Sequence, residues 1–245
     1  MKPAQSLTPL PAWLRFSQVA LITLGGVAGV SAGVIQTNTG SDGGTFSVSG
    51  SDLLQTQLAS ASRTGAPGSG NTYFYREDSG YTVDLARLHD GQFGDLGGDP
   101  DSSIFPNQVS ITFAFDVSVH TAGYNLTQIA TYASWDTGRD AQQYTVEFST
   151  VSAPNTFLSL ASVARFEVDS DNDVSTKVQL TDSTGTLAWN VAMLRFNFNG
   201  VENGGTAFRE FDVFGIAAVP EPQSWAMVGG VGLLGFALAR RFRRA

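Results

Sequence analysis

The sequence predicts an all-β fold, an antiparallel β-sandwich, with one apolar helix before it and one after it. From residue 109 onward, apolar and polar residues alternate with a period of two, as in strands that bury one face. Clusters of Gly, Pro, Asn and Asp interrupt the alternation at short intervals and predict turns. The apolar runs near both chain ends do not alternate in this way. The 245 residues include 27 Gly and no Cys, so disulfide bonds and thiol chemistry are excluded.

The first 32 residues have the pattern of a secretory signal peptide. A basic flank ends at Arg15, an apolar stretch runs from 16 to 30, and Val30-Ser31-Ala32 supplies small residues for a signal peptidase. An N-terminal membrane anchor is the alternative, although glycines in the apolar stretch weaken a spanning helix. We therefore expect an exported protein whose single β-sandwich domain spans 33–218.

Strand predictions cover most of that domain, and each predicted strand has one apolar face. The alternation is clearest in 109–115, 145–149 and 208–214. Since each apolar face must be covered, the strands predict two sheets packed on each other. The segment 52–59 predicts a short capped helix or another strand. The predicted strands span 45–49, 109–115, 127–134, 143–150, 157–169, 175–181, 186–199 and 208–216.

Charge is distributed unevenly along the chain. Residues 33–219 hold 21 of the 22 acidic residues and 8 of the 14 basic residues, a net charge of −13. A surface of that sign repels a phosphate backbone, so we expect no nucleic-acid binding. The same acids could bind cations or simply keep the surface solvated.

Three stretches resemble the galactose-binding-like, or discoidin-like, jelly-roll domains. Leu88 to Gly94 is similar to their early Asp-Gly loop, Ile129 to Thr150 to their central hairpin, and Phe208 to Gly215 to their last strand. The resemblance covers roughly 80–216. It implies that the predicted sandwich is a jelly roll.

The same resemblance implies a structural calcium ion between the Asp-Gly loop and the Glu of the last strand. In this chain those residues are Asp90 and Glu210. Calcium takes about six to eight oxygen ligands, from carboxylates and backbone carbonyls. The alternative is a turn Asp and a strand Glu that pairs with Arg209 or Arg87.

Candidate ligand-binding residues surround one predicted loop: Trp135, Arg139 and Tyr132. Trp135 could stack on a sugar ring while Arg139 donates hydrogen bonds to sugar hydroxyls. Alternatively, Trp135 covers the edge of the core and Arg139 pairs with Asp136 or Asp140.

Catalytic signatures are absent from the sequence. The chain has only two histidines, and it contains no nucleophile elbow, zinc-protease helix motif or phosphate-binding loop. We therefore expect a protein that is not an enzyme. A secreted glycan-acting hydrolase is the alternative, because sequence spacing does not reveal whether two carboxylates face each other across a cleft.

The C-terminal segment predicts a transmembrane helix. The run 224–239 has 16 residues without charge. As a helix it would reach about 24 Å, slightly short of a typical bilayer core. The arginines that follow would stay on the cytoplasmic side. The sandwich is therefore expected outside the inner membrane.

Pro220, Glu221 and Pro222, followed by that apolar run and the terminal arginines, resemble the PEP-CTERM sorting signal of exported bacterial proteins. The resemblance covers 218–245. It implies an exosortase-type processing enzyme as a partner, inner-membrane anchoring before processing, and a cell-surface or extracellular location afterwards. Two prolines keep the segment extended and so accessible to a protease. A plain tail anchor is the alternative.

These predictions together describe an exported cell-surface or extracellular-matrix protein with a binding or structural role. Exopolysaccharide is the expected contact, and structural calcium is the one cofactor expected. The alternatives are the secreted hydrolase and a passive surface protein without a specific ligand.

Overall fold

The computed structural model describes residues 33–64, 85–96, 106, 109–136, 138–170, 172–198, 205–219 and 240. Within them lie nine strands: β1 (Val34–Asp42), β2 (Leu58–Thr64), β3 (Ser110–Phe115), β4 (Tyr124–Trp135), β5 (Gln142–Thr150), β6 (Ala153–Phe166), β7 (Val174–Asp182), β8 (Ala188–Phe198) and β9 (Phe208–Ala217). Two short helices accompany them, α1 (Leu53–Thr56) and a 3₁₀ helix (Leu85–Leu88). All strands predicted after residue 108 are confirmed, with small shifts at their ends.

The strands form an antiparallel β-sandwich, as predicted. One sheet has the order β1-β7-β4-β9 and the other has the order β6-β5-β8-β3-β2. The two sheets join at one end, where β4 also pairs with β8 through Tyr124 with Val191 and Leu126 with Ala188. Away from this junction, the inward-facing side chains of each sheet pack against those of the other sheet.

Aromatic rings from both sheets fill the space between them. Phe211 of β9 meets Phe196 and Phe113 of the other sheet, with ring centroids 4.9 and 6.1 Å apart. Phe208 meets Phe198 at 5.1 Å. Because truncating such a buried ring costs about 3–5 kcal/mol, this layer is a main source of stability.

The chain crosses between the sheets after β4, which differs from the hairpin expected over 129–150. Both edges of β4 are taken, by β7 and β8 on one side and by β9 on the other, while β5 lies between β6 and β8. A strand has only two edges for hydrogen bonding. The prediction that β4 and β5 form a hairpin is therefore wrong.

The predicted strand over 45–49 is also wrong, since this segment has no regular secondary structure. Phe46 and Val48 instead pack on the outer face of the β4–β9 sheet, against Tyr132 and Phe93. The following segment forms α1 and then β2, so both interpretations of 52–59 are realised in turn. Asp52 caps α1 in a capping box with Gln55.

Several predictions lie outside the described residues. These are the signal peptide over 1–32, the processing motif Pro220, Glu221 and Pro222, and the transmembrane helix over 224–239. In the described part of the chain, no helix has the length and apolar character needed to span a bilayer.

Candidate functional site

A cluster of three buried acids lies on the outer face of the β4–β9 sheet. Glu210 and Asp212 are two residues apart in β9, so both side chains point to the same face. Asp52, the N-cap of α1, reaches them from the segment that covers this face. Ligand oxygens of all three residues lie within 4.8 Å of one another. We call Asp52, Glu210 and Asp212 the acidic cluster.

One oxygen of each carboxylate in the acidic cluster is held by hydrogen bonds. Glu210 Oε1 accepts from Gln55 Nε2 at 2.8 Å and from the Gly91 amide at 3.2 Å. Asp212 Oδ2 accepts from the Tyr132 hydroxyl at 2.8 Å and from the Ser49 amide at 3.1 Å. These bonds orient the carboxylates from three separate segments, 49–55, the Asp-Gly loop and β4.

Asp52 is held in the same way, because its Oδ1 accepts from the Leu54 amide at 2.7 Å and from the Val213 amide at 3.2 Å. The second oxygen of each acid is buried without a hydrogen-bond partner: Asp52 Oδ2, Glu210 Oε2 and Asp212 Oδ1. Carboxylate oxygens without a hydrogen-bond partner are costly to bury, and this site holds three of them.

This burial raises the pKa values of all three acids. Burial raises the pKa of Glu210 to about 9, and the charges of Asp90, Asp212 and Asp52 act in the same direction. Burial likewise raises the pKa of Asp52 to about 6. The pKa of Asp212 is raised by burial, despite the hydrogen bond from Tyr132 and the nearby charge of Lys177. Without a cation, Glu210 therefore favours its protonated form at neutral pH.

The residues present fit a divalent cation with oxygen ligands. One carboxylate oxygen from each acid lies within 4.8 Å of the others, and each acid also has one buried oxygen without a hydrogen-bond partner. Calcium prefers this kind of donor set. Asp52, Glu210 and Asp212 are the side chains that would hold the ion.

The sequence-predicted calcium ligands are only partly brought together. Glu210 belongs to the acidic cluster, whereas Asp90 is exposed and its Oδ1 accepts from the Gln92 amide at 2.9 Å. The neighbouring Gly91 donates to Glu210, so the Asp-Gly loop does reach the site through its backbone. The hydrogen bonds to Glu210 come from Gln55 and Gly91 rather than from Arg209 or Arg87, and Arg209 donates to the Ser134 carbonyl.

Gly91 is required at this place for two reasons. Its φ is +75°, and an added Cβ would lie 2.9 Å from Gly50 Cα. Only glycine tolerates both the left-handed backbone and such a close approach. The Asp-Gly loop is thereby held against the segment that contains Asp52.

Trp135 and Arg139 meet at the end of β4. The Arg139 guanidinium carbon lies 5.6 Å from the centroid of the Trp135 ring. Arg139 has a φ of +65°, and its carbonyl accepts from the Ala207 amide at 2.7 Å. The predicted juxtaposition of this aromatic ring and this guanidinium is present.

The same loop is fixed by Asp140, which is buried and accepts from the Val168 amide at 2.8 Å. The Thr176 hydroxyl donates to the Asp140 carbonyl at 2.6 Å. Because its backbone is held at several points, the loop presents Trp135 and Arg139 in a defined position.

Tyr132 lies elsewhere. Its ring is buried against Phe46 and Phe93, with centroids 6.0 and 6.5 Å apart, and its hydroxyl donates to Asp212. The structure therefore places Tyr132, the third predicted ligand-binding residue, against the acidic cluster. Its side chain is buried there and is not accessible to a sugar.

A groove of about 380 Å³ opens beside α1, between the start of β4 and the end of β9. Its lining includes Tyr124, His120, Ile216 and Asp52, and Asp52 is the one acid in that lining. Glycoside hydrolysis uses two carboxyl groups about 5–10 Å apart. This groove offers no such pair among its lining residues.

Comparison with known proteins gives likenesses to solved structures alone. No protein-family model matches the chain, and no curated protein matches it. A carbohydrate-binding module of a family 31 glycoside hydrolase from Clostridium perfringens is similar at 11% identity and a TM-score of 0.41, over 66% of this chain and 99% of that one. A pectin-binding carbohydrate-binding module is similar at 12% identity and 0.41, over 67% and 95%.

A family 32 carbohydrate-binding module of C. perfringens NanJ, solved with galactose, is similar at 13% identity and a TM-score of 0.37, over 66% of this chain and 96% of that one. At these identities the likeness concerns the arrangement of strands. The function of this chain is therefore inferred from its own residues.

Proposed function

We propose that the chain is an exported, tail-sorted β-sandwich protein that binds extracellular polysaccharide through Trp135 and Arg139. The observation that carries the proposal is the stack of these two side chains on a loop with a fixed backbone. A partly exposed indole offers an apolar face to a sugar ring, and a guanidinium offers several planar donors to its hydroxyls. Sites of this kind combine aromatic surface with a few placed polar groups.

The sandwich is proposed to bind without catalysis. The groove beside α1 has one acid in its lining, and the acidic cluster is buried beneath α1 and the Asp-Gly loop. A buried cluster with raised pKa values suits a structural cation better than a pair of acids acting on a substrate in water.

Calcium is proposed to occupy the acidic cluster and to hold the covering segments on the sheet. Terbium can replace calcium in a luminescence assay, and the Tyr132 ring beside Asp212 is the expected sensitiser. We expect Tb³⁺ emission from the full chain that calcium displaces. Asp212→Asn should abolish both the emission and the effect of calcium on the melting temperature.

Tyr132→Phe provides the matched control, since it should weaken the emission while the calcium-dependent stabilisation remains. Unchanged melting temperatures with calcium and with chelator in the wild type would contradict the calcium site. That result would leave the glycan proposal standing, because Trp135 and Arg139 lie outside the acidic cluster.

Glycan binding is tested with the full chain in detergent on an array of bacterial polysaccharides. Trp135→Ala and Arg139→Ala should each weaken binding about tenfold or more, the loss expected for one stacking or charge-assisted contact. Trp189→Ala is the matched control, because Trp189 lies at the opposite end of the sandwich. Equal binding by Trp135→Ala and wild type would overturn the site, and no binding at all would favour the passive surface protein.

Sorting is tested by mass spectrometry of the protein from the envelope and medium of its native host. We expect an N-terminus near Gly33 and loss of the terminal arginines. An intact chain ending at Ala245 would contradict processing at Pro220, Glu221 and Pro222.

A further inference from the structure

The exposed large apolar side chains of the described residues collect at one end of the sandwich. Val119, Trp189, Ile216 and Val219 are 70%, 48%, 66% and 80% exposed. The remaining one, Ile35, is the second residue of β1 and pairs with Thr181, close to the same end. Exposed apolar residues scattered singly need no explanation, but a collection at one end does.

Backbone contacts place these residues together. Asn125 pairs with Ile216, and the Ala218 amide donates to the Gly123 carbonyl at 2.8 Å, which sets the exit of β9 beside the turn that contains Val119. The Asn190 side chain donates to the Ala122 carbonyl at 3.0 Å, which brings Trp189 to the same turn.

This end is formed by the turns 117–123, 151–152 and 183–187, by the first residues of β8 (188–190) and by Val219, and we call it the uncharged end. None of these positions is Asp, Glu, Lys or Arg. The flanking acids are bonded to the turns themselves: Asp116 accepts from Ser118, and Asp182 accepts from Thr184. The domain as a whole has a net charge of −13, so its charged residues lie outside these turns.

The chain leaves the sandwich at this same end. Val219 is followed by four residues and then by the apolar run that begins at Ser224. Extended chain spans at most about 3.3–3.6 Å per residue, so a span beginning at Ser224 would hold Val219 within about 18 Å of the bilayer core. The headgroup region fills several ångströms of that distance.

We propose that the uncharged end docks on the lipid surface while the tail is in the membrane, so that Trp135 and Arg139 point away from the bilayer. This inference rests on the proposed sorting tail. Indole and aliphatic side chains favour the membrane interface. Charged turns would lose hydration there, and acidic ones would be repelled by anionic lipid. The tether keeps the local concentration high, so a small apolar surface is sufficient to orient the domain.

The test uses the uncleaved full chain in phosphatidylcholine vesicles, with Trp13 and Trp225 replaced by Phe. One background then adds Trp135→Phe and reports on Trp189, and the other adds Trp189→Phe and reports on Trp135. Lipids brominated near the headgroup quench tryptophans that touch the interface. We expect quenching and a blue shift for Trp189, and neither for Trp135.

Ile216→Lys should remove most of the Trp189 quenching, whereas Thr37→Lys, a charge added at an exposed position of β1, should leave it. Vesicle flotation separates the two proposals. A chain that floats without Trp189 quenching overturns the docking and leaves the tail intact, while a chain that does not float overturns both. A lipid-independent blue shift with crosslinked dimers would show that a second copy covers this end, and it would also overturn the docking.

Discussion

The two ends of the sandwich differ in charge although the same strands build both. At one end, the turns after β4 and β6 contain Asp136, Arg139, Asp140, Glu167 and Asp169, and we call it the charged end. At the uncharged end the turns have no charged residue, and the exposed side chains are apolar. Since turns contribute little to the core, their composition reflects what each end faces.

The difference gives the domain a polarity that neither sheet has by itself. Antiparallel strands alternate direction, so the connections alternate between the two ends and each end receives its own set of turns. Placing charge in one set and apolar groups in the other orients the domain between water and a less polar surface. The acidic cluster lies between them, on the outer face of the β4–β9 sheet.

The largest effect that we expect follows removal of divalent cations. Chelator should lower the melting temperature by about 5–10 °C, since a ligand at a hundredfold its Kd stabilises by about 2.7 kcal/mol and 1 kcal/mol shifts a domain of this size by about 2–4 °C. Hydrogen exchange should rise in 46–57 and 88–96, which cover the acidic cluster, and stay constant in 117–123 and 183–190 at the uncharged end. Equal increases in both sets of segments would contradict a cation site confined to the acidic cluster.

A pH dependence should appear in the chelated protein alone. Because the folded-state pKa values of Asp52 and Glu210 are raised, their contribution to stability is complete at low pH and is lost as pH rises through about 6 and about 9. In chelator, the melting temperature should therefore fall as the pH rises from about 5 to about 9, a range that contains both pKa values. With calcium the fall should vanish, because the ion binds the deprotonated acids. An equal fall in melting temperature with calcium and with chelator would contradict the calcium site.

Two glycine substitutions compare the regions more finely. Gly91→Ala should lower the free energy of unfolding by about 2 kcal/mol or more and weaken calcium binding, because it adds a clash with Gly50 to left-handed strain. Gly185, at the uncharged end, has a φ of +85°, and no atom lies within 4 Å of an added Cβ. Gly185→Ala should therefore lower the free energy of unfolding by about 1 kcal/mol and leave the calcium affinity unchanged. Denaturant titration measures both, and equal losses would show that the contact with Gly50 is unimportant.

The smallest effect is expected for a surface ion pair. Arg165 and Glu167 are paired but remain 46% and 43% exposed, so Glu167→Gln should change stability by less than about 0.5 kcal/mol. It also removes one charge near the charged end while leaving calcium binding unchanged. A larger loss in the same titration would indicate that individual surface charges matter more there than we infer.

Sequence patterns predicted the strands after residue 108 because each of those strands buries one face, and burial imposes the period of two. β1 was not predicted, because it does not bury one face. It is an edge strand whose residues are mostly exposed and polar, so its sequence has no apolar alternation, and its place is set by pairing with β7. Residues 45–49 alternate without forming a strand, since Phe46 and Val48 pack while the backbone has no neighbouring edge.

The candidate site could be predicted only in part. Glu210 and Asp212 share a face of β9, a pairing that alternation alone implies. Asp52 joins them from about 160 positions away, and only its role as a helix cap was visible locally. Tyr132 sits near Trp135 in sequence but on the acidic cluster in space, because the outer face of β4 is covered by the segment with Phe46.

By itself the sequence determined the fold class, the positions of the strands after residue 108, the acidic charge of the domain and the composition of each turn. These are local properties, set by the spacing of apolar residues and by residue type. Only the tertiary structure decided which turns share an end, that β4 and β5 belong to different sheets, and that three acids meet beneath α1. Those results depend on strand pairing between distant segments, and pairing is chosen by packing of the whole core rather than by any one stretch of chain.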